Sequence, residues 1–310
     1  MPFYFVCRKA IGEKMGKRVL VTGGSGFIGR NLVEQLSKKN EISAPGHSEL
    51  DLSDQRAVES YLKGKDFDVI VHAAGVGVSR RNAGMPDMLG MNLRQFFNIE
   101  RCSGMFGRLI QLGSGAEYDK SRPLVKVKET EFGKRVPLDD YGFFKYICSR
   151  RIESMDNAVC LRIFGCYGKY EDYGTRFISN AICNAILGLP ITINNRNVFF
   201  SYLYVNDLAL VIDRFIQKEP KQKFYNVAPE KAVDLLAIAK KVIGVSGKDL
   251  EIDVKNNGLG PEYSADSSRL KKELPDFKFT RIEAGIKELY KWYEENKNTI
   301  DRSRLEAGSR

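Results

Sequence analysis

The chain has 310 residues, of which 43% are hydrophobic and 28% charged, and its 49 Lys and Arg outnumber its 39 Asp and Glu. This balance excludes a disordered chain, and no apolar run reaches the ~18 residues that a membrane span needs. The opening residues lack the pattern of a signal peptide, so a cytoplasmic protein without membrane contact is predicted. The net charge of +10 is spread among acids, which favours a solvated surface over a nucleic-acid site.

The cysteine and histidine pattern argues against bound metal. The 6 cysteines are scattered without a C-x-x-C pair, and the 2 histidines are His47 and His72. Zinc sites need clustered Cys or His, so no metal is predicted. Reduced and mostly buried thiols fit a cytoplasmic protein.

Short β-branched runs alternate with amphipathic stretches through the first half of the chain. After an N-terminal extension over residues 1–16, the order is RVLVTG (strand), GFIGRNLVEQLSKK (helix), EISAPG (strand), SDQRAVESYLK (helix) and FDVIVHAAG (strand). The segments MLGMNLRQFFNIERCSG, RLIQLGSG, YGFFKYICSRRIESM and AVCLRIFG continue the alternation. This order predicts an α/β fold with a doubly wound parallel Rossmann sheet over residues 17–168.

The regular alternation of strands and helices ends after residue 168. A helix at RFISNAICNAILG ends at Gly188, and SYLYVNDLALVIDRFI is typical of a strand that runs into a helix. The strand KFYNVA and the helices VDLLAIAKKVI and TRIEAGIKELYKWYEEN follow. These elements predict a smaller C-terminal α/β substrate lobe from residues 169–198 and 229–300, with 199–228 returning to the sheet. Residues 301–310 form a tail, of which LEAGSR is typical of a cloning remnant.

Spaced glycines follow the first strand. Gly23, Gly26 and Gly29 form a G-x-x-G-x-x-G pattern between a strand and a helix, which is the context of a dinucleotide-binding loop. The first glycine permits a tight turn, the second lets the backbone approach a pyrophosphate, and the third lets the helix pack on the strand. The helix that begins near Phe27 and Ile28 is expected to direct free N–H groups at the phosphates. An ordinary tight turn is the alternative.

The turn after the second strand bears on the choice of cofactor. NAD sites generally place Asp or Glu there for the ribose 2′-hydroxyl, whereas Pro45–Ser48 carries no acid before Glu49. A 2′-phosphate would then meet no repulsion from a carboxylate, and the candidate donors to it are His47, Ser48 and Arg30. NADP(H) is therefore favoured, with NAD(H) as the alternative. Asp51 fits an adenine contact and the start of a helix equally well.

A Tyr and a Lys lie four residues apart in DDYGFFKY. On a helix, Tyr141 and Lys145 share one face, and an ammonium beside the phenol favours the phenolate. Such a Tyr can give or take a proton at a carbonyl or hydroxyl oxygen while hydride moves at the carbon. Ser114 ends the strand of RLIQLGSG, where its hydroxyl can bind the same oxygen. The order of glycine loop, Ser114, Tyr141 and Lys145 predicts a catalytic site for hydride transfer.

These motifs resemble those of the extended short-chain dehydrogenase/reductase superfamily, in its NAD-dependent epimerase/dehydratase group that acts on nucleotide sugars. The segments TGGSGFIG, HAAG, LGSGAEY, YGFFK, LRIFGCYG, YLYVNDLA and FYNVA each match a landmark of that group. The late segment SADSSRLKKELP is similar too. The resemblance implies a nucleotide sugar bound in the cleft between the two lobes, and a homodimer built on the helix that carries Tyr141.

The resemblance also assigns further contacts. The residues that it places at the cofactor are Leu52, Ala73, Ala74 and Gly75. Asn92 is a landmark that would lie near the substrate, although a buried structural role suits it equally well. The family's usual arginine contact to the substrate diphosphate falls at Phe200. The candidate replacements, each of which also fits a solvated surface position, are Arg176, Arg196 and Arg269.

Several positions differ from the family pattern, and these differences indicate which of the family's reactions to expect. Sugar 4,6-dehydratases carry an Asp-Glu pair after the catalytic hydroxyl, where this chain has Gly115 and Ala116. The reductase branch is closer, since LGSGAEYDK and SELDLSDQRAVESYL are similar to segments of GDP-L-fucose synthase and dTDP-4-dehydrorhamnose reductase. GDP-L-fucose synthase epimerises with a Cys and a His whose places hold Ala116 and Tyr170. Reduction of a 4-keto nucleotide sugar without epimerisation is therefore predicted, unless Cys166 or Tyr170 substitutes.

Two other functions stay open. A nucleotide-sugar 4-epimerase that retains tightly bound NAD would use the same Ser114, Tyr141 and Lys145. A non-catalytic dinucleotide-binding sensor or scaffold is the alternative of a different class. That alternative predicts the loss of catalytic residues, whereas all three are present.

Overall fold

The computed structural model describes residues 16–76, 86–194, 196–256 and 258–308. Its strands are β1 Arg18–Thr22, β2 Glu41–Ser43, β3 Phe67–His72, β4 Phe106–Ser114, β5 Leu124–Val127, β6 Ala158–Ile163, β7 Cys166–Tyr167, β8 Ile191–Ile193, β9 Asn197–Phe200, β10 Leu203–Tyr204, β11 Phe224–Val227, β12 Val233–Asp234, β13 Ile252–Val254 and β14 Leu259–Ala265. Its α-helices are α1 Phe27–Leu36, α2 Gln55–Leu62, α3 Met88–Arg101, α4 Asp140–Ile152, α5 Phe177–Leu187, α6 Val205–Gln217, α7 Leu235–Ser246, α8 Ser268–Glu273, α9 Ile282–Glu295 and α10 Arg302–Gly308.

The central sheet has the strand order β2-β1-β3-β4-β6-β11, and every neighbouring pair is parallel. Side chains alternate along each strand, so Val19 and Val21 face one layer of helices and Leu20 faces the other. Parallel strands that are apolar on both faces need helices on both sides. The predicted doubly wound parallel sheet is confirmed.

Helices cover both faces of this sheet. α1 and α6 bury one face with side chains such as Leu32 and Leu208. α2, α3 and α4 bury the other with Val58, Phe96 and Phe144. Among the helices of the described residues, none combines the length and the apolar character that crossing a membrane requires. Because helices cover both faces, a ligand can reach the central sheet only at the ends of its strands.

The chain reverses its direction of winding between β1 and β3. β2 lies on one side of β1, and the later strands of the sheet all lie on the side of β3. The carboxyl ends of β1 and β3 are in register at Thr22 and His72. Where the connections after two neighbouring strands run to opposite faces of the sheet, a crevice opens beyond the ends of these strands. Open α/β sheets bind their ligands in such a crevice.

A smaller lobe is built mainly from the second half of the chain. α5, α7 and α9 pack together around side chains that include Ile182, Ile238 and Ile286. Its four-stranded sheet has the order β12-β9-β14-β5, so β5 joins it from the first half of the chain. β11 pairs with β6 in the central sheet, whereas β9 pairs with β12 and β14. The residue boundaries given for the two lobes from the sequence stay a prediction.

A buried acid of the smaller lobe couples stability to pH. Glu171 is buried and accepts a hydrogen bond from Ser179 Oγ at 2.7 Å. Burial raises the pKa of Glu171 from 4.5 to about 7, against the opposing effects of the Ser179 hydroxyl and the Arg176 charge. Between these two pH values the folded chain therefore holds a proton that the unfolded chain has released.

We expect the free energy of unfolding to fall by about 3 kcal/mol as the pH rises through this interval, and to change no further on account of Glu171 above pH ~8. Below the unfolded pKa both states hold the proton, so the full contribution is present there. Glu171→Gln should remove this slope. Urea unfolding from pH 5 to pH 8 measures it, with the exposed Glu294→Gln as the control. Equal slopes in wild type and Glu171→Gln would contradict this prediction.

Candidate active site

The glycine loop lies at the carboxyl end of β1. Gly23 has a φ of +68°, and a Cβ at this position would lie 2.7 Å from Ala74 Cα. A Cβ on Gly29 would lie 2.0 Å from the Gly23 carbonyl oxygen. A side chain at either position would force the loop away from Ala74 or from α1. The loop is thus held close to the segment that follows β3.

The first turn of α1 lies at the same edge of the sheet. Its N-cap residue is Gly26, and no side chain caps this end of the 10-residue helix. The first N–H groups of a helix have no intrahelical carbonyl partner, and the helix dipole adds partial positive charge there. These groups belong to Phe27, Ile28 and Gly29. A loop that only glycine can form and an uncapped helix terminus fit the pyrophosphate of a dinucleotide.

Side chains tie the ends of β1 and β3 together. Thr22 Oγ1 and His72 Nδ1 are 2.8 Å apart, and Thr22 Oγ1 accepts a hydrogen bond from the Ala74 N–H at 3.3 Å. Burial, together with the nearby Lys145 charge, lowers the pKa of His72 to about 3. The imidazole is therefore neutral at physiological pH. This contact holds Ala73–Gly75, predicted to bind the cofactor, beside the glycine loop.

The turn after β2 differs from the prediction that it is free of acid. The Glu49 carboxylate folds back and accepts a hydrogen bond from the Gly46 N–H at 2.8 Å, so a negative charge lies within the turn. His47 is exposed, with its Nδ1 3.8 Å from Asp51 Oδ1. Asp51 accepts hydrogen bonds from the hydroxyl and the backbone N–H of Ser53, which lower its pKa. Local hydrogen bonds thus draw both carboxylates toward the backbone.

Two further residues predicted near the cofactor lie around this turn. Ser48 is exposed, so its hydroxyl is available to a ligand. Leu52 is buried in the core beneath α2 and α3, and its carbonyl accepts a hydrogen bond from Asn98 Nδ2 at 2.9 Å. The Leu52 side chain therefore belongs to the hydrophobic core, and its carbonyl is already engaged by Asn98.

Ser114 ends β4, and a short 3₁₀ turn over Gly115–Tyr118 follows it. α4 packs directly on this turn, since a Cβ on Gly142 would lie 2.8 Å from the Ala116 carbonyl oxygen. Any larger residue at position 142 would push the helix away. The close approach brings the first turn of α4, with Tyr141, against the segment that carries Ser114.

Tyr141 and Lys145 lie one turn apart on α4, whose N-terminus Asp139 caps by accepting a hydrogen bond from the Gly142 N–H at 3.0 Å. Lys145 is buried and donates to the Leu112 carbonyl at 2.5 Å. Its charge also acts on the His72 imidazole across the ends of β3 and β4. The Leu112 carbonyl therefore fixes the Lys145 ammonium on the face of α4 that also carries Tyr141.

A buried ion pair beneath Ser114 is not evident from the sequence. Glu117 accepts hydrogen bonds from the Ser114 N–H at 2.9 Å, from Ser149 Oγ at 2.6 Å and from Arg162 Nε at 2.7 Å. Both side chains of the pair are fully buried, and the Arg162 guanidinium lies 4.1 Å from the centre of the Phe132 ring. The spacing of Ser114 and Glu117 matches a capping box, which is the one local signal of this network.

Four aromatic side chains, which we call the aromatic wall, lie next to Ser114. They are Phe164, Phe200, Tyr202 and Tyr263. The ring centres of neighbouring members are 4.8 to 5.7 Å apart. A Cβ on Gly115 would lie 2.5 Å from the Phe164 ring and 2.5 Å from the Tyr263 hydroxyl, so the wall closes on the turn after Ser114. No local sequence pattern reveals Tyr263, because β14 is remote from Ser114 along the chain.

Asn92, predicted near the substrate, is engaged with the backbone. Its Oδ1 accepts a hydrogen bond from the Val76 N–H at 2.9 Å. Its Nδ2 donates to the carbonyls of Val76 at 2.8 Å and Met88 at 2.7 Å. The side chain is buried and fastens the segment after β3 to α3, which leaves it little capacity to bind a ligand.

The three predicted substrate arginines are dispersed. Arg269 donates to the Phe224 carbonyl at 3.1 Å, at the amino end of β11. About 10 Å of strand separates this point from Val227, which is level with the catalytic edge. The Arg269 guanidinium therefore lies at the amino end of β11, and its role at the substrate stays a prediction. Arg176 is the exposed N-cap residue of α5, and Arg196 is exposed just before β9.

A sequence profile of the NAD dependent epimerase/dehydratase family matches residues 19–228, a range that holds the glycine loop, Ser114, Tyr141 and Lys145. The chain belongs to this family. The resemblance noted in the sequence is confirmed, and the chain is an NAD(P)-dependent enzyme of the extended short-chain dehydrogenase/reductase type.

Individual proteins and solved structures are similar to this chain over about nine-tenths of its length. The dTDP-4-dehydro-6-deoxy-D-allose reductase of a Streptomyces species is 26% identical in an alignment of 322 positions, gaps included, that covers 90% of this chain and 96% of the relative. The GDP-mannoheptose C4 reductase of Campylobacter jejuni with NADP bound has a TM-score of 0.77 at 21% identity, over 91% of this chain and 100% of that one. The dTDP-glucose 4,6-dehydratase of Bacillus anthracis in complex with NAD has a TM-score of 0.74 at 19% identity, over 91% and 98%. These structures share the Rossmann fold.

Proposed function

We propose that this enzyme reduces a 4-keto nucleotide sugar with NADPH, without epimerising or dehydrating it. One juxtaposition carries the proposal: α4 packs through Gly142 on the Ser114 turn, at the sheet edge that also holds the glycine loop. This packing groups Ser114, Tyr141 and Lys145 beside a site for a dinucleotide. The names of the Streptomyces allose reductase and the Campylobacter C4 reductase support reduction at C4.

The chemistry at the substrate oxygen follows from these three side chains. The glycine loop and the first turn of α1 would hold the pyrophosphate of a reduced nicotinamide dinucleotide, which would supply the hydride for the carbonyl carbon. Tyr141 gives its phenolic proton to the carbonyl oxygen as negative charge develops there. Ser114 donates a hydrogen bond to the same oxygen. Lys145, fixed by the Leu112 carbonyl, stabilises the phenolate that remains on Tyr141.

The groups that the competing reactions would need are missing or engaged. Gly115 and Ala116 supply neither the acid nor the base of a dehydration, and the aromatic wall fills the space beside Gly115. Burial raises the pKa of the Cys166 thiol well above its ordinary value, so it stays protonated and is a poor base for epimerisation. The Tyr170 ring lies 3.7 Å beneath the Arg30 guanidinium, on α1. These observations favour simple reduction.

The preference for NADPH rests on the turn after β2. Glu49 and Asp51 hold their carboxylates on the N–H groups of Gly46 and Ser53, so a ribose 2′-hydroxyl would have to compete with these bonds. The Glu49 charge within the turn opposes a 2′-phosphate, which leaves Ser48 as the group that favours NADPH. Ser48 is exposed at the same turn and can donate to a 2′-phosphate. A cytoplasmic location, expected from the scattered cysteines, and a homodimer, implied by the family resemblance, complete the proposal.

Oxidation of NADPH, and of NADH in parallel, with a panel of 4-keto-6-deoxy nucleotide sugars tests the proposal. We expect turnover of at least one sugar, a higher kcat/KM with NADPH, and a product with unchanged configuration at C3 and C5. Absence of turnover across the panel would overturn the proposal. Mass spectrometry of small molecules released from the purified protein identifies the bound cofactor as a second measurement. Retained NAD, with interconversion of 4-hydroxy sugars and no net cofactor consumption, would identify the 4-epimerase instead.

A further inference from the structure

A hydrogen bond from Ser149 fastens α4 to the turn that follows Ser114. The Ser149 Oγ donates to Glu117 Oε2 at 2.6 Å, and the other oxygen of the same carboxylate, Oε1, accepts the Ser114 N–H at 2.9 Å. Ser149 and Glu117 are both fully buried, so water does not compete for the bond between them. One carboxylate therefore connects the backbone of Ser114 to the helix that carries Tyr141.

The Glu117 carboxylate is itself held by the central sheet. Arg162 Nε donates to Glu117 Oε2 at 2.7 Å from β6, which is a neighbour of β4. Without the Ser149 hydroxyl, the carboxylate would still keep Arg162 and the Ser114 N–H as partners. The contribution of Ser149 is therefore the link to α4, and the ion pair does not depend on it.

The position of Ser149 on α4 gives this link its effect. Ser149, Lys145 and Tyr141 share one face of the helix, because they are spaced four residues apart. Lys145 is midway, and its bond to the Leu112 carbonyl fixes that point. Tyr141 and Ser149 each lie about 6 Å from it along the helix axis, in opposite directions. A helix held at its middle can tilt, so that movement at Ser149 is matched by movement at Tyr141. The close packing at Gly142 stops α4 from moving toward the turn but does not hold it against moving away.

We infer that Ser149 is a positioning residue of the proposed reduction, because its bond to Glu117 sets the tilt of α4. The tilt fixes the distance between the Tyr141 phenol and the Ser114 hydroxyl, which must both reach the substrate carbonyl oxygen. Displacement of reacting groups by about 1 Å can cost about 100-fold in rate. The inference rests on the proposed function and extends it to a residue outside the group of Ser114, Tyr141 and Lys145.

Ser149→Ala removes the link and leaves the ion pair beneath Ser114 intact. We expect kcat for the sugar to fall about 10-fold, with a change of less than about twofold in its KM. Ser179→Ala is the matched control, since Ser179 is equally buried and donates to a buried carboxylate, Glu171 Oε2, at 2.7 Å in the smaller lobe. Both variants should lower the midpoint of urea unfolding by similar amounts, whereas only Ser149→Ala should lower kcat.

An unchanged kcat in Ser149→Ala would overturn the inference, and so would equal losses of kcat in the two serine variants. NMR of protein labelled with ¹³C at tyrosine Cζ gives a measurement independent of turnover, in which Tyr141→Phe assigns the Tyr141 resonance. This resonance should move in Ser149→Ala and stay in place in Ser179→Ala. If it stays in place in both variants, or moves equally in both, the inference fails. If the wild type turns over no sugar, the reductase proposal fails, and the resonance still decides whether Ser149 positions Tyr141.

Discussion

Tyr141→Phe is expected to lower kcat for reduction of a 4-keto nucleotide sugar by about 10²- to 10⁴-fold. The substitution removes only the phenolic hydroxyl, whose proton would neutralise the substrate oxygen as hydride reaches the carbon. The ring itself should stay, since it packs edge-to-face on Phe144 with centres 5.4 Å apart. Binding of NADPH, measured by calorimetry, should therefore be nearly unchanged. Steady-state kinetics with the most active sugar of the panel gives the loss in kcat.

Tyr146→Phe provides the matched control for this prediction. Tyr146 lies on the same helix, and its ring packs on Phe132 with centres 5.0 Å apart. Loss of its hydroxyl should leave kcat within about twofold of wild type, because surface substitutions away from the reacting atoms have small effects. Full activity in Tyr141→Phe, or equal losses in the two variants, would show that Tyr141 is not the proton donor.

Glu117→Gln should destabilise the fold by about 3–5 kcal/mol. The change keeps the shape of the side chain but leaves the Arg162 guanidinium buried without its counter-charge, and removing one member of a buried pair has costs of this size. Both side chains are fully buried, so solvent does not screen the loss. Urea unfolding followed by circular dichroism measures the difference.

Arg162→Met in the Glu117→Gln background should recover most of this stability, since an apolar residue of similar volume needs no counter-charge. Glu283→Gln, which breaks the exposed pair between Lys241 and Glu283, is the control, with an expected effect of at most ~1 kcal/mol. If Glu117→Gln unfolds no more readily than this control, the pair is not the buried charge that the structure describes.

The parts of the fold and the site that rest on local pattern were predictable. Alternation of β-branched runs with amphipathic stretches places the central strands and their helices, because each element must bury one face or both. The glycine spacing at Gly23 and Gly29 follows from backbone space within one turn. The four-residue spacing of Tyr141 and Lys145 follows from helical geometry.

The rest depends on contacts between distant parts of the chain or on side-chain direction. Glu117 and Arg162 meet only when β4 and β6 pair, and no spacing links them in the sequence. Charge alone does not say at which end of the sheet an arginine lies: Arg269, expected at the substrate, donates to the carbonyl at the amino end of β11. Glu49 lies close in sequence to the turn, yet its return to Gly46 is a choice of rotamer that residue order does not encode.

The pairing of β5 with β14 sets an order of events during synthesis. The Lys126 N–H donates to Ser264 Oγ at 2.8 Å, which joins a strand from the first half of the chain to one from near its end. Because a chain leaves the ribosome from its N-terminus, the glycine loop and Ser114 emerge well before Tyr263. The four-stranded sheet of the smaller lobe can therefore close around β14 only after Leu259–Ala265 has left the ribosome.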